Sequence, residues 1–352
     1  MPTVSVLTME VGKMSSFFYV MTVMLIVWIL ALALAVTVVV LLVASLRRMN
    51  REPGMDRRVP PTRSAPGIAS SVPAVTPAVV SAARKRVVIG VAVGAVVLAA
   101  GLGINGYLPE YRYLPAALTP GLATIACLLT LAMPFPGTSS LPTPSDDDVR
   151  VASLRTREPW TYARRYVLAQ PLLVAALLIV YLCFTMATAS ADDMGLMTSI
   201  ALDHGDGTSA SSGPYPGSYY AIPLIGVTLL LVGSTCAALW RVAHVPGDPD
   251  PRHARADRLW RVELTRFATF LSVGAMLAYA SAVLEVAGAA TWRLGTHDGT
   301  LSSVYADDVY PTLGKLQVGA GVVLLVVAAV YLILMLGSVR RLWLIRVAGD
   351  DR

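Results

Sequence analysis

Apolar residues run along this chain in unbroken blocks, with none of the three- and four-residue alternation of a surface helix. Seven blocks, near 17–45, 87–107, 113–134, 166–189, 219–241, 267–291 and 317–339, are long enough to cross a hydrocarbon core of about 30 Å, which takes roughly 20 helical residues. Each runs well past the roughly ten alternating residues of a barrel strand. Helices satisfy their own backbone hydrogen bonds in lipid, so the pattern predicts an all-α fold: a polytopic membrane bundle of seven transmembrane helices.

The polar segments divide the chain. Residues 49–85 mix arginine, proline, serine and alanine without a helical period and predict a cytoplasmic linker. They separate an N-terminal unit at 1–48, a tail and the first span, from a six-helix membrane domain at 86–352. The six later spans form three hairpins, and the second and third resemble copies of one another. EPWTYARRYV (158–167) precedes one and RLWRVELTRF (258–267) the other; LWRVAHVPGD (239–248) follows one and LWLIRVAGD (342–350) the other. Trp-Arg boundaries also recur because both residues favour interfaces, but the matching order around the whole hairpin favours duplication. Both copies enter the membrane in the same direction, as parallel repeats. Helix starts at Ser145 and at Asp250-Pro251 predict short helices lying in the inner interface before the 166–189 and 267–291 spans.

Composition agrees with the pattern: the 352 residues are 55% hydrophobic and 14% charged. The net charge of +6 adds an orientation. Segments 47–86, 136–165, 241–266 and 340–352 hold 24 of the 28 Lys and Arg, whereas the opposite connections hold only Lys13, Arg112, Arg293 and Lys315. The positive-inside rule then puts the N-terminus outside and the C-terminus in the cytoplasm. A basic inner face is accounted for by anionic lipid headgroups, and no nucleic-acid partner is expected. The first block is too long for a signal-peptide core and has only Lys13 before it, so it is expected to stay uncleaved. Translation from Met14 would shorten the tail without altering the topology. Abundant Ala, Val and Arg with few Lys suggest a GC-rich bacterial gene and hence the plasma membrane.

Candidate chemistry is sparse. No nucleotide-binding, zinc-protease, nucleophile-elbow or CxxC motif is present. Cys127, Cys183 and Cys236 lie inside spans, as apolar thiols do. All four histidines lie in connections, which argues against a bis-histidine haem, and no cofactor is expected. Two connections echo each other, LDHGDGTSASS (202–212) and GTHDGTLSS (295–303). Asp203, His204, Asp206, His297 and Asp298 could converge on a divalent metal if the loops meet. The spacing matches no metal motif, however, and Asp-Gly followed by Thr or Ser is turn chemistry. Solvated turns are the plainer expectation.

Glu285 is the one acid well inside a predicted span and shares a face with Ser281 and Gly288. With Ser281 and Gln170 it makes a candidate substrate or ion path. The competing reading is a glutamate reaching the wet outer interface. Gly90, Gly94 and Gly101 line one face of the 87–107 span and predict close helix packing. Pro120 and Pro171 predict kinks.

The expected activity is non-enzymatic: a permease-like or accessory subunit, with the bilayer and either a membrane-protein partner or further copies of itself for company. The alternative is an autonomous transporter or sensor of a small cation or solute, using Glu285 and the acidic outer loops. An intramembrane enzyme comes third.

Overall fold

The computed structural model describes residues 75–107, 114–134, 162–163, 165–203, 209–245, 254–296 and 309–345. The apolar block at 17–45 lies outside them. Six helices hold most of these residues: α1 (Val75–Tyr107), α2 (Leu114–Ala132), α3 (Arg165–Thr188), α4 (Ser218–His244), α5 (Ala254–Thr296) and α6 (Val309–Leu344). Each is long and apolar enough to cross a membrane, and each overlaps one sequence block. Val88, Ile89, Val96, Leu230, Val326 and Ile333 are among many large apolar side chains left on the outside. An acyl-chain environment solvates such a surface and water does not, so the fold is that of an integral membrane protein in contact with lipid.

Successive helices run up and down. The starts of α1 and α5 meet the ends of α2, α4 and α6 at one pole, termed here the arginine end. A small sheet marks the other pole, the strand end. α5, 43 residues and about 65 Å long, is the axis of the bundle and touches every other described helix. Its large side chains, including Trp260, Leu264, Phe267, Met276 and Leu284, are buried on several sides at once.

Its closest neighbour is α6, and small residues set the approach. A Cβ on Gly314 would lie 2.5 Å from the Trp292 backbone nitrogen and 2.6 Å from the Gly288 carbonyl oxygen. Toward α4 the contact is hydroxylated: Tyr279 and Thr228 share a hydrogen bond of 3.0 Å, and Thr235 donates to Ser272 at 2.9 Å. These four buried hydroxyls thus find partners across the seam.

Four features depart from the sequence expectations or sharpen them. First, the connection between α3 and α4 is not only turns. It forms a three-stranded antiparallel sheet of β1 (Ser190–Ala191), β2 (Met197–Asp203) and β3 (Ser209–Ser212), in that order. Asp192 builds the first turn by accepting the backbone N–H groups of Met194 and Leu196 and the Thr198 hydroxyl, while Gly195 takes φ 76°. Ile200 and Tyr215 then pack on Ala287, Ala290 and Leu294 at the end of α5.

Second, no separate interfacial helix precedes the 267–291 span. Ala256, Trp260, Leu264 and Phe267 continue one buried stripe, so that segment is the first three turns of α5 itself. The segment expected to form its counterpart, before the 166–189 span, lies mostly outside the described residues. Third, α1 begins at Val75, inside the stretch whose composition predicts a linker, because Val79, Val80, Ala83 and Val87 bury a common face. Fourth, Pro120 and Pro171 sit within continuous helices. Thr124, on the turn after Pro120, donates its hydroxyl to the proline carbonyl at 2.9 Å.

Candidate functional site

Polar chemistry concentrates at the two poles, and the arginine end carries most of it. α2, α4 and α6 all finish here, each with carbonyl groups that no further helical turn can satisfy. Arginines from neighbouring helices supply the donors. Arg261, fully buried, gives hydrogen bonds to the carbonyls of Val242 (2.8 Å), Ala243 (3.2 Å) and Val245 (2.8 Å). Arg84 does the same for α6, at Leu342 (3.2 Å), Trp343 (3.3 Å) and Ile345 (2.6 Å), and Arg86 for the Met133 and Pro134 carbonyls after α2. A cation suits the negative end of a helix dipole, and a guanidinium has enough planar donors to serve several carbonyls.

Arg261 is enclosed further. Asp257, one turn back, forms an ion pair with it at 3.0 Å. The rings of Trp260 and Tyr162 lie 4.6 Å and 5.3 Å from its guanidinium carbon. Glu263 is buried nearby on α5, where it meets Arg266 at 3.1 Å and, across the seam, Arg341 of α6 at 3.8 Å. Its second carboxylate oxygen is enclosed without a hydrogen-bond donor.

None of these residues stands out in the sequence as more than a positive-inside charge or a connection residue. The available signal for Glu263 is its position between Trp260 and Phe267, on the buried stripe three residues after the one and four before the other.

At the strand end, Tyr215 is buried and its hydroxyl shares a 2.7 Å hydrogen bond with Thr188, the last residue of α3. Burial pushes the Tyr215 phenol up to about 12, and the bond to Thr188 pulls the other way. Arg293 of α5 donates to the Gly213 carbonyl at 3.2 Å. The sheet is therefore fastened to α3 by one hydroxyl and to α5 by one arginine and an apolar patch.

The residues singled out by sequence fall as follows. Ser281 donates to the Glu285 carboxylate at 3.0 Å, and the glutamate side chain lies against Gly321 of α6. Gln170 is buried, but it stands 18 residues, about 27 Å, below Thr188 on α3. Glu285 lies close to the strand end, so the structure brings together two members of that path and leaves the third at the opposite pole. Asp203 ends β2, paired with Ser209, and closes the ladder from which the 204–208 connection departs. His204, Asp206, His297 and Asp298 lie outside the described residues. Among the described residues no group of three or more His, Cys, Asp or Glu side chains could hold a metal. Gly90, Gly94 and Gly101 all face α2: a Cβ at Gly90 would meet Thr130 at 2.5 Å, one at Gly94 the Ala123 carbonyl at 3.0 Å, and one at Gly101 the side chain of Thr119.

Compared with known protein families, curated proteins and solved structures, the chain finds no match.

Proposed function

We propose that this chain is a non-enzymatic subunit of a membrane assembly, permease-like or accessory, that acts by packing with partner membrane proteins. One observation carries the reading: the centre of the six-helix bundle is occupied by a helix. Where a solute path would need polar groups facing one another across an opening, α5 presents Phe267, Phe270, Met276 and Leu277 to its neighbours. Two pairs of hydroxyls in its seam with α4, Tyr279 with Thr228 and Thr235 with Ser272, are spent on each other. With the charge pattern, this reading takes 17–45 as a seventh span, the N-terminus as extracytoplasmic, the arginine end as cytoplasmic, and the bacterial plasma membrane as the location.

The duplication of the α3–α4 and α5–α6 hairpins belongs to the same proposal. Arg261 and Arg84 each serve carbonyls spaced i, i+1 and i+3 at the ends of α4 and α6, and each stacks near a tryptophan. The packing inside the hairpins has nonetheless diverged: α5 and α6 lie in close contact through glycines, and α3 and α4 touch far less.

The test is extraction of tagged full-length protein in two mild detergents, followed by quantitative mass spectrometry and photo-cross-linking from Val96 on the exposed face of α1. A second membrane protein at constant molar ratio, cross-linked through Val96, is the expected result. A solitary protein whose solute uptake is abolished by Glu285→Gln, with folding preserved, would overturn it in favour of an autonomous transporter. The Ser281–Glu285 hydrogen bond on the α5–α6 seam is the observation that favours this second reading.

A further inference from the structure

Several of the arginines described at the arginine end are committed to the protein. Arg84, Arg86 and Arg261 serve helix carbonyls, and Arg266 and Arg341 meet Glu263. Arg165, which opens α3, is like Arg255 and Arg340 in being exposed, and unlike them it borders a groove. Among the described residues it has no hydrogen-bond or ion-pair partner. No acid lies anywhere on α3, and the described acids at this pole, Asp257 and Glu263, are already paired with other arginines.

Beside Arg165 the surface is hollowed into an open groove of about 380 Å³, lined by Arg165, Leu168, Ala169 and Leu172. These positions recur at three, four and seven residues, so they form one face of the helix over about 10 Å. The lining is therefore ordered by depth. Among its described lining residues one cation stands at the pole and apolar side chains follow toward the middle of the span, with the small Ala169 leaving space between two leucines.

We propose that this groove binds an anionic phospholipid of the surrounding bilayer, its headgroup phosphate on the Arg165 guanidinium and an acyl chain along Leu168, Ala169 and Leu172. Charge complementarity selects this occupant. A partner helix would have to bring an acid or the free carbonyls of its own end to that depth, and a zwitterionic lipid brings its own cation to the same place. An anionic lipid matches the cation at one end and the apolar face along the rest. The inference rests on the bilayer placement of the helices and is independent of whether the chain is a subunit or a transporter.

The experiment is native mass spectrometry of the full-length protein released from nanodiscs containing equal amounts of phosphatidylglycerol and phosphatidylcholine. Wild type is expected to retain phosphatidylglycerol in preference. Arg165→Gln should lower that retention about fivefold, the effect of one basic residue near a membrane surface. Ala169→Leu, which fills the groove, should lower retention of both lipids. Lys85→Gln removes an exposed charge from the same pole but not from the groove, and should leave retention unchanged. Equal loss in Arg165→Gln and Lys85→Gln would reduce the effect to bulk charge and overturn the site. So would equal retention of the two lipids by wild type, or full retention in Ala169→Leu. Arg165 and Ala169 are exposed, so an unchanged unfolding midpoint is the check that each variant is folded.

Discussion

At the scale of single residues, the arginine end shows one residue type used in two ways. Arg261 is a structural cation: taken out of water, it is stable only because three carbonyls and Asp257 meet its donors. Arg261→Ala leaves those carbonyls and a carboxylate without a partner, and should lower stability by about 3 kcal/mol, seen as a fall in the unfolding midpoint in detergent. Arg261→Lys should recover little of this, because an ammonium cannot span the same set of acceptors. Tyr215 gives a pH-dependent counterpart at the strand end. Its folded phenol titrates near 12 against an ordinary 10, so the neutral form is the one the fold favours. Its contribution is complete below pH 10 and is lost as pH rises through 12. Tyr215→Phe should cost about 1 kcal/mol at neutral pH by removing the bond to Thr188. It should also flatten the alkaline loss of stability relative to wild type, as denaturation curves at several pH values would reveal.

At the scale of elements, the α5–α6 pair makes glycine the deciding residue. Gly314 meets backbone atoms of α5, which cannot rotate away, whereas a Cβ on Gly319, a turn and a half further along the same helix, would meet nothing within 4 Å. Gly319→Ala should therefore be neutral or stabilise by up to about 1 kcal/mol, the usual sign for alanine in a helix. Gly314→Ala should destabilise by about 1–3 kcal/mol, because the helices must separate. A shared sign in thermal unfolding would refute the close approach. The presence of the six helices was legible from apolar length alone, since lipid demands it. Their starts were less so. Val75–Arg86 and Ala254–Arg266 look polar and broken as sequence, but each buries one stripe on neighbouring helices, and tertiary contact extends the helix through them.

At the scale of the whole molecule, the proposed orientation is open to direct measurement. With the three native cysteines replaced by alanine, Met194→Cys on the strand end should react with an impermeant thiol reagent in intact cells. Arg255→Cys, at the opposite pole, should react only after permeabilisation. The reverse pattern would invert the protein. The candidate sites fared differently by their range. Ser281 and Glu285 lie one helical turn apart, and helical periodicity alone places them on one face. Gln170 belongs to another helix, and no local pattern could say that it stands at the other pole.

What the sequence determined by itself was membrane embedding and the position of the six apolar cores that the described helices contain. These follow from the solvent: an apolar helix of about twenty residues has the bilayer as its one favourable environment, whatever it packs against. Only the tertiary structure decided that α5 stands at the centre, that arginines close the ends of α2, α4 and α6, and that Glu263 is buried between two of them. In lipid every helix is apolar all round, so hydrophobicity does not distinguish a buried face from an exposed one. Glycine clearances, hydroxyl pairs and the reach of individual arginines make that distinction, and each depends on which helix lies opposite.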